Sequence, residues 1–259
     1  RKPNLLLAFD AFGTLFAPRA PVWQQYAEVA RGFGIVAGED AVAGSFKDVY
    51  TEVQRRWPNY GKEVGMGPTA WWGEMIRETF RPFLAKDQEV PQPMIDALMH
   101  RFSSSEGYTR YKDVLQIFEF LRKVKRGVST SSDEHTWPWP YKRTVVGVIT
   151  NSDHRVPEVL RSLGLTVAGS NHHLAKGGVG SDSTVDVDFV IASYDVGFVK
   201  PDRRIFDAAV QLVEPLEANE SGGALVEDCW DRVYVGDEID RDVVGAMNAG
   251  WDAIHIDRT

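Results

Sequence analysis

Hydrophobic positions along the chain fall into two alternating patterns. Residues 5–9, 145–150, 187–192, 233–236 and 253–256 form short continuous apolar runs with the β-branched content of strands buried on both faces. Between them the apolar positions take helical spacing. Leu115, Phe118 and Leu121 mark one face of 112–125, and Ile205, Ala209 and Leu212 mark one face of 201–213. A last helix is expected over 240–248, stopped by Gly250. Strands alternating with helices predict an α/β fold, a Rossmann-like three-layer core around a parallel sheet. Between the first strand and Lys112 no good strand is found, and helical faces repeat. Val22, Tyr26, Val29 and Phe33 form the first, and 40–57, 68–83 and 91–102 supply three more. This block reads as an all-helical insertion over the carboxyl edge of the sheet. The expected division is a core of residues 1–18 and 112–259 with a helical cap of residues 19–111. Segments 127–143 and 169–186 read as polar surface loops.

Composition narrows the function class. With 29 Lys and Arg against 37 Asp and Glu, the net charge is -8, and no dense basic face suggests nucleic acid. No apolar run approaches a membrane span, so no membrane partner is expected. The lone cysteine, Cys229, excludes an intrachain disulfide and fits a reducing compartment. Arg1-Lys2-Pro3-Asn4 lead straight into the first strand, so a targeting peptide is expected to be absent or already removed. The expectation is an intracellular, cytoplasmic protein, with organelle and oligomeric state left open.

Chemistry-bearing residues gather where the strands end. The first strand delivers Asp10 in Phe9-Asp10-Ala11-Phe12-Gly13-Thr14, a carboxylate placed to attack an electrophile in the crevice above the sheet. The second delivers Thr150 and Asn151, a hydroxyl and backbone amides suited to an anionic oxygen. After the third stands Lys200, just before a helix start, where an ammonium can neutralise negative charge. The fourth gives Asp237-Glu238-Ile239-Asp240-Arg241-Asp242, and Asp237 can share a hard cation such as magnesium with Asp10.

In this order the four strand ends resemble the haloacid dehalogenase superfamily over nearly the whole chain. The insertion is similar to that family's helical cap of the first type. Trp57-Pro58-Asn59-Tyr60-Gly61 and Trp71-Trp72 further resemble the subfamily called haloacid dehalogenase-like hydrolase domain-containing protein three. The resemblance implies a magnesium-dependent hydrolase of a small phosphorylated substrate. In it Asp10 would be the nucleophile and form an aspartyl-phosphate. Thr150 and Asn151 would cradle the transferred group, and Lys200 would balance charge. Asp10, Asp237 and the backbone carbonyl of Phe12 would hold Mg2+, Asp242 would orient Lys200, and Thr14 would steady the loop.

One position departs from the family pattern. Phosphatases of the family carry a second Asp where this chain has Phe12, so the usual acid and base is missing. A general acid or base typically contributes about 10²- to 10⁴-fold, so good leaving groups would suffer least. The family's 2-haloacid dehalogenases also place an aromatic residue there but lack an acidic fourth motif, which this chain keeps. Phosphotransfer therefore stands ahead of a magnesium-independent dehalogenase using the same Asp10. A catalytically impaired binding protein is the third reading.

Other candidates have plainer readings. Trp57, Tyr60, Trp71 and Trp72 are expected mainly as packing of the helical unit. His172-His173 lack a third ligand at a telling spacing, and the Gly-rich run 176–181 lacks a P-loop ending. The basic run 122–126 reads as a solvated helix end.

Overall fold

The computed structural model describes residues 3–127, 139–168, 184–221 and 230–258. Trp137, His172, His173, the run 176–181 and Cys229 lie outside the described residues. In chain order the described elements begin with β1 (Asn4–Phe9) and β2 (Phe16–Pro18). A helical block follows: α1 (Val22–Gly32), α2 (Glu39–Arg56), the short turn α3 (Pro58–Gly61), α4 (Pro68–Phe80) and α5 (Gln92–Arg101). Then come β3 (Tyr108–Arg110), α6 (Val114–Lys125), β4 (Thr144–Thr150), α7 (Val156–Ser162), β5 (Phe189–Ala192), α8 (Ser193–Val196) and α9 (Arg203–Ser221). The chain closes with β6 (Trp230–Gly236), a π-helical turn (Ile239–Val244), α10 (Gly245–Asn248) and β7 (Asp252–His255).

The main sheet has the order β5-β4-β1-β6-β7, and all its pairings are parallel. Register aligns the ends: Phe9 lies opposite Val148 on one side and Val235 on the other. Because the chain adds β4 and β5 on one side of β1 and then crosses to add β6 and β7 on the other, the crevice at the carboxyl end of β1 is a topological switch point. Alternate residues of each strand feed two cores, as a sheet covered on both faces requires. Leu6, Val145, Ile149, Ile191 and Tyr234 pack with Ile205, Phe206 and Trp251. Phe9, Val146, Val148 and Val235 pack with Phe118, Leu121, Val159 and Leu160 on the other face. Gly147 has no room for a Cβ because the Phe189 ring of the adjacent strand lies against it.

The structure corrects several expectations. The stretch before Lys112 does contain strands: β2 and β3 pair antiparallel, Phe16 opposite Arg110 and Pro18 opposite Tyr108, as a ribbon flanking the helical block. Each strand is only 3 residues long, too short to set a period. Strand β5 starts at Phe189, because Asp188 turns its carboxylate onto the Val146 N–H at 2.8 Å. Helix α9 starts at Arg203, since Asp202 accepts the Arg204 N–H at 3.0 Å as an N-cap does. The basic run ending α6 is not simply solvated. Lys125 is buried and its ammonium lies 2.7 Å from the buried Asp188 carboxylate. No described helix is long and apolar enough to cross a membrane.

Candidate active site

The site forms where β1, β4 and β6 end side by side. Asp10 follows β1 directly, and its N–H still donates to Val235 C=O at 2.8 Å, so the carboxylate is fixed by the sheet itself. The backbone then turns through Gly13 at φ 77°, and a Cβ there would run into the Asp237 carboxylate. Only glycine meets both demands. Thr14 Oγ1 donates to Asp237 Oδ1 at 2.8 Å, which binds the end of β6 to the loop after β1. Arg258 adds a brace, donating from Nη2 to Thr14 C=O at 2.7 Å.

Lys200 is the centre of the charge arrangement. Its ammonium donates to Asp10 Oδ1 at 2.7 Å, Asp242 Oδ1 at 2.7 Å and the Tyr234 hydroxyl at 2.9 Å. An ammonium has three protons, and here each has an acceptor. The side chain is 3% exposed. Burial alone would lower its pKa, but the Asp10 and Asp242 carboxylates outweigh burial and hold it above the ordinary value, so the charge is retained. Asp10 lies above its ordinary value because burial disfavours its charge, with Lys200 opposing the rise and Asp242 adding to it.

Asp242 sits on the π-helical turn, where Glu238 N–H donates to its Oδ2 at 2.9 Å. Asn151 grips the Lys200 backbone from both sides, accepting its N–H at 2.6 Å and donating to its C=O at 3.1 Å. Its side chain is therefore spent on holding Lys200, which leaves only its backbone N–H for an anion. Thr150 is buried at the end of β4, and among the described residues its hydroxyl takes no hydrogen bond. Tyr234 was missed in the sequence because it lies within an apolar run. Its hydroxyl also donates to Ile149 C=O at 2.7 Å, and burial first, then the surrounding carboxylates, push its pKa well up. A buried tyrosine usually finds a hydrogen-bond partner, and that was the available signal.

Asp10, Asp237 and Asp242 each offer a carboxylate oxygen within 4.8 Å of the others. Three carboxylates share the site with one ammonium, an acidic excess that a divalent cation would balance. Hard oxygen donors in this number suit magnesium.

Phe12 is held by aromatic contacts. Its ring stands edge-on to Phe16 at 4.7 Å and to Tyr108 at 5.6 Å, so it packs on the β2–β3 ribbon. The helical block reaches the segments that follow β4 and β5. Trp71 is core as expected, 1% exposed, whereas Trp72 donates its indole N–H to the buried Asp153 at 3.1 Å. Asn59 and Tyr60 adopt φ of 46° and 59°, unfavourable for residues with a Cβ. Docking sustains that turn: Asn59 Nδ2 donates to Ser193 C=O at 3.0 Å, and Ser193 Oγ returns a bond to Asn59 Oδ1 at 3.2 Å.

Residues 5–250 match the model of the haloacid dehalogenase-like hydrolase family. The chain belongs to that family. Haloacid dehalogenase-like hydrolase domain-containing protein 3 of Mus musculus is 31% identical over 89% of this chain and 78% of its own length. Among solved structures, YfnB from Bacillus subtilis, assigned as a HAD-hydrolase and bound to magnesium, aligns with a TM-score of 0.55 at 14% identity, covering 98% of this chain and 89% of that one. The 2-haloacid dehalogenase from Pseudomonas syringae aligns with a TM-score of 0.52 at 19% identity, covering 97% and 85%. Both likenesses concern the fold. This HAD hydrolase shares its fold with them, and its own residues must carry the argument about its chemistry.

Proposed function

We propose that this HAD hydrolase is a magnesium-dependent phosphatase or phosphotransferase acting on a small phosphorylated molecule, with residues 19–111 as a cap over a core of 1–18 and 112–259. The reading rests on the Asp10, Asp237 and Asp242 carboxylates, whose oxygens lie within 4.8 Å of one another while one ammonium pairs with Asp10 and Asp242. A 2-haloacid is itself a carboxylate, and displacing halide from it needs no cation, so surplus negative charge in the site would only repel it. Asp10 and Asp237, with the Phe12 backbone carbonyl, would hold the magnesium ion. When bound, that ion supplies charge neutralisation at the phosphoryl oxygens.

The protein groups perform the rest. A carboxylate oxygen of Asp10 attacks phosphorus in line, the bond to the leaving oxygen breaks with its electron pair, and an aspartyl-phosphate remains. The Thr150 hydroxyl and the Asn151 N–H hold the phosphoryl oxygens while Lys200 offsets their charge. Water then attacks phosphorus, the bond to Asp10 breaks, and phosphate leaves with the carboxylate restored. Phe12 can neither protonate the leaving oxygen nor activate the water, so acyl and aryl phosphates, whose leaving groups need no proton, are favoured.

Turnover of acetyl phosphate and p-nitrophenyl phosphate is the test. It should require magnesium, stop on chelation and vanish in Asp10→Asn. Equal turnover in chelator would remove the reading. The Phe12 ring favours one competitor, a dehalogenase using the same Asp10, which predicts halide release from a 2-haloacid with no metal present.

A further inference from the structure

Arg155, shortly after β4, is a further cation largely withdrawn from solvent. It lies on the loop after β4, with its side chain 12% exposed and that of its partner Asp153 0% exposed. Nε donates to Asp153 Oδ1 at 2.9 Å and Nη2 to Asp153 Oδ2 at 2.7 Å. The Trp72 ring stacks against the guanidinium, 4.8 Å from its centroid. One edge of the fork is thus filled. Among the described residues no acceptor meets Nη1, and that atom is not sealed from solvent.

The surroundings suit a ligand better than a plain ion pair. Tyr26 from α1, Tyr60 from α3 and Tyr108 from β3 all feel the Arg155 charge. Tyr108 in turn packs edge-on to Phe12 at 5.6 Å, so Arg155 and the loop carrying Asp10 share a neighbour. A structural bridge to Asp153 would need only the edge already used. A guanidinium with a second, open edge, oriented by a buried carboxylate and an indole face, is the geometry that recognises a carboxylate or phosphate.

Building on the phosphate-transfer reading above, we infer that Arg155 is a specificity residue that receives a second anionic group of the substrate, so the substrate class is a phosphate ester or anhydride bearing a further carboxylate or phosphate. Asp153 is the positioning residue that aims the fork. Trp72 joins it from the helical block, so recognition of the second anion draws on both the block and the sheet.

Calorimetry with phosphonates, which cannot be hydrolysed, tests this on the whole chain with magnesium present. The ligands are phosphonoacetate, 3-phosphonopropionate and 4-phosphonobutyrate, each against the alkylphosphonate of matching length. At least one phosphonocarboxylate should bind about tenfold or more tightly than its match, the worth of one charge-assisted contact. Arg155→Gln should bring that ratio to within about twofold while the alkylphosphonate affinity stays as in the wild type. Because Arg155→Gln strands Asp153 in the interior, the double variant Asp153→Asn with Arg155→Gln, which removes both charges together, must give the same collapse. Equal binding of the two ligand classes by the wild type would overturn the inference. So would variants that weaken both classes alike, which marks Arg155 as structural. Binding of neither class by the wild type would overturn the phosphate-site reading itself, and this inference with it.

Discussion

Asn151 closes on both sides of the Lys200 backbone, its Oδ1 taking the N–H at 2.6 Å and its Nδ2 reaching the C=O at 3.1 Å. A side chain expected to touch an anion instead sets the height and direction of the ammonium. Asn151→Ala should therefore cost about 1–3 kcal/mol of stability, since it leaves two backbone groups unpaired. Activity should fall further than stability explains, through a lower kcat with little change in KM. Urea midpoints and steady-state kinetics on the same preparation check both. An unchanged kcat would show that Lys200 is held without Asn151.

Tyr234 bridges Lys200 and Ile149 C=O through one hydroxyl. Tyr234→Phe keeps the ring in its core and removes only that bridge. The expected loss is about 1–3 kcal/mol, the usual cost of leaving a buried donor and acceptor unpaired. Thermal unfolding of the variant should stay cooperative with a lowered midpoint.

What could be read from sequence, and what could not, divides along physical lines. The sheet and its order of chemistry were legible because strands buried on both faces are continuous apolar runs, so Asp10 and Asp237 stood out as the first polar residues after them, Thr150 as the polar end of another, and Lys200 as the cation before the next helix. Tyr234 was hidden by the same rule, since an aromatic in such a run reads as core. The β2–β3 ribbon was too short for a period, and nothing in the sequence marks Tyr60 for a positive φ between Asn59 and Gly61. Asn151 was found but its task was not. Spacing identifies which side chains arrive at an edge, whereas hydrogen bonds across the sheet decide what each one holds.

Gly13 stands where its missing side chain would strike the Asp237 carboxylate, at φ 77°. Gly13→Ala should lower stability by about 1–2 kcal/mol through the left-handed backbone. Its larger effect should be on the cation, because Asp237 must move. The magnesium concentration for half-maximal activity should rise about tenfold or more, in the range of other losses around metal ligands. The magnesium-dependent rise in melting temperature should shrink in parallel, a readout that does not need turnover.

Asp153 gives a pH dependence with a definite sign. Burial would raise its pKa, but the Arg155 charge, the Arg155 hydrogen bonds and the Trp72 indole outweigh burial and hold it below the ordinary 3.8. The unfolded chain therefore takes up this proton first as the solution is acidified. The stability Asp153 contributes is complete above the ordinary carboxylate range and is lost as pH falls from 3.8 toward the lower native value. At neutral pH, Asp153→Asn should be less stable than the wild type by about 3–5 kcal/mol, the cost of stranding a buried partner. That gap should narrow on acidification, and urea midpoints measured from about pH 6 to pH 3 would follow it. Parallel curves would mean that the pair adds nothing to acid stability.

Phe12→Asp places opposing effects on one residue. The ring packs at 4.7 Å from Phe16 and 5.6 Å from Tyr108, so its loss should destabilise the ribbon by about 2 kcal/mol, less than a fully buried phenylalanine. The new carboxyl would sit against those same rings, and an apolar setting raises a carboxyl pKa. A proton retained near neutrality is what a leaving alkoxide requires. Turnover of an alkyl phosphate relative to p-nitrophenyl phosphate should rise by about 10²-fold, because only the poor leaving group gains from an acid. Both ratios come from one kinetic experiment, with unfolding midpoints measured alongside. If stability drops while the ratio stays fixed, the group at this position does not reach the leaving oxygen, and the preference for good leaving groups has another origin.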